Sequence, residues 1–236
     1  MEREEHGQAQ QFFEESLALS QKMSDTWWLA TSLSNMAVVS HSLGTLRRLP
    51  NYEESMDLFR EQGDKHSLAI NLNNLAMVMC SQGDLGRATK LIEESVALLR
   101  ELGARGVVSI GLCNLGWIAL LQDDLSRAAD HYRESLSLAW DTGVNPVVQR
   151  TLEGFACLAG AKGESERVAR LWGAAQALHE TKGIPRDIDF LAEADARISA
   201  VRSGMGEEAW EEAWRKGRVM TLDEAVSYAL EEAAGA

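Results

Sequence analysis

Apolar residues recur three and four positions apart along most of the chain, the period of a helix with one buried face. Leu72, Leu75, Ala76 and Met79 make one such stripe, and Leu112, Leu115, Gly116 and Ala119 make another. Each is followed, after a short polar break, by a second stripe. These are Leu85, Ala88, Ile92, Ser95 and Val96, then Leu125, Ala128, Tyr132, Ser135 and Leu136. The breaks are Gln82-Gly-Asp84 and Gln122-Asp-Asp124, with Leu43-Gly-Thr45 and Lys162-Gly-Glu164 in matching places. Gly83 and Gly163 suit the left-handed backbone that ends a helix. The pattern predicts helical hairpins.

The hairpins repeat. The small residues Ala37, Ala76, Gly116 and Ala156 lie 39 or 40 residues apart, and so do Ser16, Ser55, Ser95, Ser135 and Ala175. Small positions let facing helices approach, and Phe13, Tyr52, Ile92, Tyr132 and Trp172 recur as the large residue beside them. A lone hairpin cannot bury both of its faces, so the copies must stack. The first segment, Gly7 to Lys22, reads as a second helix without its first. Such a bare end leaves a core face open to self-association. Pro50 is expected to delay the start of its helix to near Asn51, because proline breaks a helix interior.

After Leu171 the repeat gives way, and Gly183-Ile-Pro185 reads as a stop. Three shorter helices are expected, over about 186–202, 206–217 and 222–233. The last begins at a capping box, Thr221-Leu-Asp-Glu224. Trp210, Trp214, Leu222, Ala225, Val226, Ala229 and Leu230 are expected to fold back over the last hairpin, leaving acidic faces in water.

These residues resemble the tetratricopeptide repeat in its long form. The likeness rests on the Leu-Gly or Leu-Ala pair, the Gly-Asp turn, Ala88 and Ala128 after it, the following large residue, and Ser95 or Ser135. It covers about residues 7 to 180 and is strongest from Leu68 to Trp140. It departs at Asp123, where glycine is usual, and at Val168, where alanine is usual. The resemblance implies an all-α, right-handed superhelix of about four helix-turn-helix repeats over 1–182, capped by helices over 183–236. The tail is also similar to the C-terminal end of bacterial signal-transduction ATPase regulators of the LuxR-family and maltose-regulon type. There the match lies in Ala169-Arg-Leu-Trp-Gly-Ala-Ala175, in Gly206 to Gly217, and in Leu222 to Leu230. That likeness implies the sensor or interaction portion of such a regulator.

Chemistry adds exclusions. Lys plus Arg number 23 against 36 Asp plus Glu, a net charge of −13. Phosphate binding needs clustered cations, so direct nucleic-acid contact is not expected. There is no phosphate loop, no nucleophile elbow and no zinc-protease helix motif. His6, His41, His66, His131 and His179 show no metal-ligand spacing, and Cys80, Cys113 and Cys157 sit in apolar helical stretches as small hydrophobes. No apolar run reaches membrane-spanning length, and no signal core follows the charged N-terminus, so a cytoplasmic chain is expected. No catalysis, cofactor or metal is expected.

The candidate site is the inner stripe of the first helices. Counting from each small residue, it runs through Thr31, Ser34, Val38 and His41; Ile70, Asn73, Met77 and Cys80; Ile110, Cys113, Trp117 and Leu120; and Arg150, Glu153, Cys157 and Gly160. The resemblance places this stripe along a concave groove. It is apolar in its middle, with Arg150 its one cation, so it lacks the Lys and Arg set that clamps a C-terminal carboxylate. An apolar peptide, an amphipathic helix or a hydrophobic small molecule fits it; so does plain inter-repeat core. Asn35, Asn74 and Asn114 recur beside it, and an amide can pair with a peptide backbone or with a neighbouring helix end. Two functions are compatible with these features: the sensing module of an ATPase-type transcriptional regulator, or a free-standing adaptor. An enzyme is a distant third.

Overall fold

A computed structural model describes residues 11–12, 15–16, 18–22, 25–42, 48–183 and 188–231. The described part of the first segment is helical, while Gly7 to Gln10 lie outside the described residues. Eleven helices then follow among the described residues, with no strand. They are α1 (Thr26–Ser42), α2 (Arg48–Gln62), α3 (Lys65–Ser81), α4 (Leu85–Glu101), α5 (Arg105–Leu121), α6 (Leu125–Thr142), α7 (Asn145–Ala161), α8 (Ser165–Lys182), α9 (Ile188–Met205), α10 (Glu207–Arg218) and α11 (Leu222–Leu230). Among the described residues no helix is long and apolar enough to cross a membrane.

The turns follow a stricter rule than the sequence pattern suggests. Gly63, Gly83, Gly103, Asp123, Gly143, Gly163 and Gly183 all have left-handed backbone, with φ between 58° and 82°. They stand 20 residues apart, so every helix of the array from α2 to α8 ends in the same way. Asp123 is the one non-glycine among them, and its φ of 58° is a conformation aspartate tolerates better than most residues. From Gly63 to Gly163 the next residue is the N-cap of the following helix. Asp64, Asp84 and Asp124 accept the N–H of Ser67, Arg87 and Arg127 at 3.0, 3.0 and 3.1 Å. Each such cap contributes about 1 kcal/mol. The expected delay at Pro50 does not occur: α2 starts at Arg48. Pro50 therefore lies in the first turn, where the missing N–H would have had no helical partner.

The chain divides into two compact units, Met1–Gly103 and Ala104–Ala236. In the first, α1 pairs with α2 and α3 with α4. Ala30, Ala37, Ala69, Ala76 and Ala88 are fully buried at the close approaches, with Tyr52 and Ile92 beside them. In the second, α5 pairs with α6 and α7 with α8. Tyr132 fills the space between α5 and α7, its ring facing Gly116 and Gly154 and lying 5.6 Å from the Phe155 ring.

The recurring serine is a tie as well as a small residue. Ser55 Oγ donates to the Ala30 carbonyl at 2.6 Å, Ser95 Oγ to Ala69 at 2.6 Å, and Ser135 Oγ to Ser109 at 2.8 Å. Each bond joins the second helix of a hairpin to the backbone of its first. Sixteen residues after Ser55 stands Asn71, whose Nδ2 donates to Ser55 Oγ at 2.7 Å while Ser34 donates to its side-chain oxygen. Sixteen after Ser135 stands Thr151, 3.1 Å from Ser135 Oγ.

The three C-terminal helices start and stop within a few residues of expectation. The Thr221–Glu224 capping box is formed, with Thr221 N–H donating to Glu224 Oε2 at 2.7 Å. Trp210, Ala225, Val226 and Ala229 are buried, as the folding-back requires. The α10 helix lies backbone to backbone on α8: a Cβ on Gly217 would overlap the Arg170 carbonyl, and one on Gly173 the Trp214 carbonyl. Trp214 Nε1 donates to Gln176 Oε1 at 2.7 Å, and Arg218 forks onto Glu180 at 2.8 and 2.6 Å. The α11 helix is held by Arg167, whose Nη2 donates to the carbonyls of Tyr228, Ala229 and Glu231.

Candidate functional site

The inner stripe behaves differently in the two units. In the first, it runs along α1 and α3. Thr31 and Ser34 on α1 are half-buried, while the side chains of Val38 and His41 lie outside the described residues. On α3, Ile70 is 36% exposed, and Asn73, Asn74, Met77 and Cys80 are half-buried. The opposite face of α3, with Leu68, Leu72, Leu75 and Met79, is buried. Asn35 is exposed on α1. Burial raises the Cys80 thiol pKa, so the sulfur is a neutral, soft contact at neutral pH. This part of the stripe is a mixed amide, aliphatic and thioether surface that water reaches.

In the second unit the stripe is covered. On α5, Ile110 is half-buried, whereas Cys113, Trp117 and Leu120 are at most 4% exposed and Asn114 is 1% exposed. On α7, Arg150 is half-buried, and Glu153 and Cys157 are buried. The cover is α9. It packs on α7 and α8, Val201 lies against Gly160, and the Arg197 guanidinium stands 5.9 Å from the centre of the Trp117 ring. Burial pushes the Cys157 thiol up to about 12, against the pull of Arg197, so this cysteine is inert at neutral pH. Glu153 accepts from Gln149 Nε2 at 3.2 Å within the same buried layer.

The candidate residues are thus split: Asn35, Asn73, Asn74 and Met77 on the first unit, Ile110, Asn114, Trp117 and Arg150 on the second. Asn71 is not among them, yet it is the asparagine that ties three helices together. A signal for it exists: Ser32, Asn71 and Thr151 are polar residues in one register, with Gly111 completing the 39- and 40-residue spacing.

Among the described residues no three His, Cys, Asp or Glu side chains group to hold a metal. A shallow cleft of about 380 Å³ at the start of α8 is lined by Glu164, Ser165, Glu166, Arg167, Arg170 and Tyr228. Its arginines are engaged: Arg170 pairs with Glu166, both guanidinium groups lie over the Tyr228 ring, and Arg167 caps α11.

Known proteins share this arrangement. The sequence model of the Tetratricopeptide repeat family matches residues 68–139. A stretch of 78 residues, 33% of this chain, is 37% identical to proteins of Mycobacterium tuberculosis and Mycobacterium bovis named as HTH-type transcriptional regulators. That stretch is 9% of each relative, so the chain matches only a small part of their length. Among solved structures, BtubC (BKLC) from P. vanneervenii superposes with a TM-score of 0.68 over 95% of this chain and 89% of that one, at 17% identity, a likeness of fold alone. Tetratricopeptide repeats are protein-interaction modules, typically without catalysis, whose stacked hairpins present extended binding surfaces. The chain is a helical-repeat protein whose residues 68–139 are tetratricopeptide repeats.

Proposed function

We propose that this chain is the repeat portion of an ATPase-type bacterial transcriptional regulator, a non-catalytic sensing module of the cytoplasm. Residues 1–182 serve as the solenoid and 183–236 as its cap. A peptide or small effector docks on the inner stripe of the first unit, through Asn35, Asn73, Asn74 and Met77; Ile110, Asn114, Trp117 and Arg150 form the corresponding stripe of the second unit by itself. The observation that carries this reading is the water-accessible stripe on α3. Ile70, Asn73, Met77 and Cys80 share one face at part exposure, on a helix whose other face is core. The 78-residue likeness to HTH-type transcriptional regulators supports the regulatory setting.

The test uses wild type and an Asn73→Ala, Asn74→Ala, Met77→Ala triple variant as baits in a bacterial extract, after equal melting temperatures are established. A protein retained by wild type and lost by the variant supports docking on α3. Equal capture by both baits sinks it.

A further inference from the structure

The seat that α9 occupies has a defined chemistry. Of its described side chains, Ala194 and Ile198 are buried, Arg197 and Val201 are half-buried, and those on the other faces are mostly exposed. These four stand at i, i+3, i+4 and i+7, one helical stripe. Opposite them lie Trp117 of α5 and Cys157 and Gly160 of α7, members of the inner stripe, with Glu153 near Cys157 in the same buried layer. The parts complement one another. Gly160 leaves room for Val201, the Trp117 face receives a guanidinium, and the buried Glu153 carboxylate places a negative charge in a layer closed by a helix bearing Arg197. The attachment is side chain on side chain. By contrast, α10 reaches α8 backbone to backbone through Gly173 and Gly217, and is tied by Trp214 and Arg218 as well. So α9 is held less firmly than the helix that follows it, and Gly206, with φ +87°, marks the joint between the two.

Resting on the groove reading above, we infer that α9 is an internal stand-in for the partner. The groove of the second unit takes an amphipathic helix carrying a small residue, Arg, Ile and Val at i, i+3, i+4 and i+7, and α9 must leave for that helix to enter. The Trp117 face that receives the guanidinium, with the Glu153 carboxylate in the same buried layer, selects against an acidic residue at i+3.

Two measurements on the full chain test this. The first is hydrogen exchange of wild type. The amides of 192–205 are expected to exchange at least tenfold faster than those of α7 and α8, with α10 still protected. Exchange of α9 only together with α7 would overturn the inference and leave docking on α3 untouched. The second is fluorescence anisotropy with a labelled synthetic peptide of residues 188–205 as the probe. Ile198→Asp, which unseats α9, is expected to bind it at least tenfold more tightly than wild type, and adding Glu153→Gln is expected to abolish that gain. Fast exchange of α9 without peptide binding by Ile198→Asp, in a variant of wild-type helicity, would overturn the groove as a helix seat in this unit. Should Ile198→Asp unfold, Arg197→Glu serves in its place. It reverses the charge over Trp117 without placing a polar group in the core, and the same outcomes apply.

Discussion

Tyr132 sits between Gly116 on α5 and Gly154 on α7, and a Cβ on either glycine would lie 2.5–2.6 Å from its ring carbons. The ring therefore sets the spacing of three helices, and both facing residues have to be glycine. Its hydroxyl is buried without a hydrogen-bond partner, and burial raises its pKa well above the usual phenol value, so it stays neutral. The ring contributes by packing and the hydroxyl only costs. Tyr132→Phe is therefore expected to leave stability unchanged or raise it by about 1 kcal/mol. Gly154→Ala is expected to lower it by about 1–3 kcal/mol through overpacking. Urea midpoints of the two variants decide; a marked loss in Tyr132→Phe would mean that the hydroxyl has a partner. The close approach at Gly116 was legible in the recurring small residues; that at Gly154 was not, because the small residue read in its copy was Ala156. The ties made by Ser55, Ser95 and Ser135 were not, because each hydroxyl bonds a backbone carbonyl 25 or 26 residues earlier. Side-chain periodicity carries no record of a carbonyl.

At the level of elements, the helices and their turns were readable locally. A stripe of apolar residues ends at a residue able to adopt positive φ, and an aspartate often caps the next helix. The start of α2 was not, since a proline reads as a breaker unless its place in the first turn is known. The docking of α10 on α8 depends on one contact plane. Gly217 carries no side chain where the Arg170 carbonyl passes, and Gly173 does the same for Trp214. Gly217→Ala is expected to lift α10 off α8 while the hairpins α5–α6 and α7–α8 stay folded. The readout is Trp210 and Trp214 fluorescence: a red shift on substitution, with helicity reduced only slightly. An unshifted spectrum would show that the two helices can slide to absorb a methyl group.

For the molecule as a whole, charge governs the response to acid. The net charge is −13 and the isoelectric point is near 4.9. Several carboxyls sit below their ordinary range. Arg218 holds down Glu180, Arg202 holds down Glu207, Lys216 holds down Glu212, and the Thr221 N–H and hydroxyl hold down Glu224. For Asp64, burial works upward, but the Ser67 backbone and side chain, the Trp27 indole and His66 together outweigh it. A carboxyl whose pKa is lower folded than unfolded stabilises the fold above its unfolded value, near pH 4, and loses that contribution as pH falls through the folded value. Melting temperature is therefore expected to hold from pH 7 to about 5, while mutual repulsion eases, and to fall below about pH 4. A higher melting temperature at pH 3 than at pH 6 would contradict this sign. Sequence alone determined the helical class, the hairpin period, the turns at Gly83 and Gly163 and the capping box, because each depends on residues within a few turns of one another. It marked the inner stripe but could not say what would meet it. Only the tertiary structure decided that α9 covers the α7 part of the second unit's stripe and the Trp117 ring, while α3 keeps its own open to water. Periodicity records that a face is apolar. Which surface covers that face depends on where a helix far along the chain comes to rest.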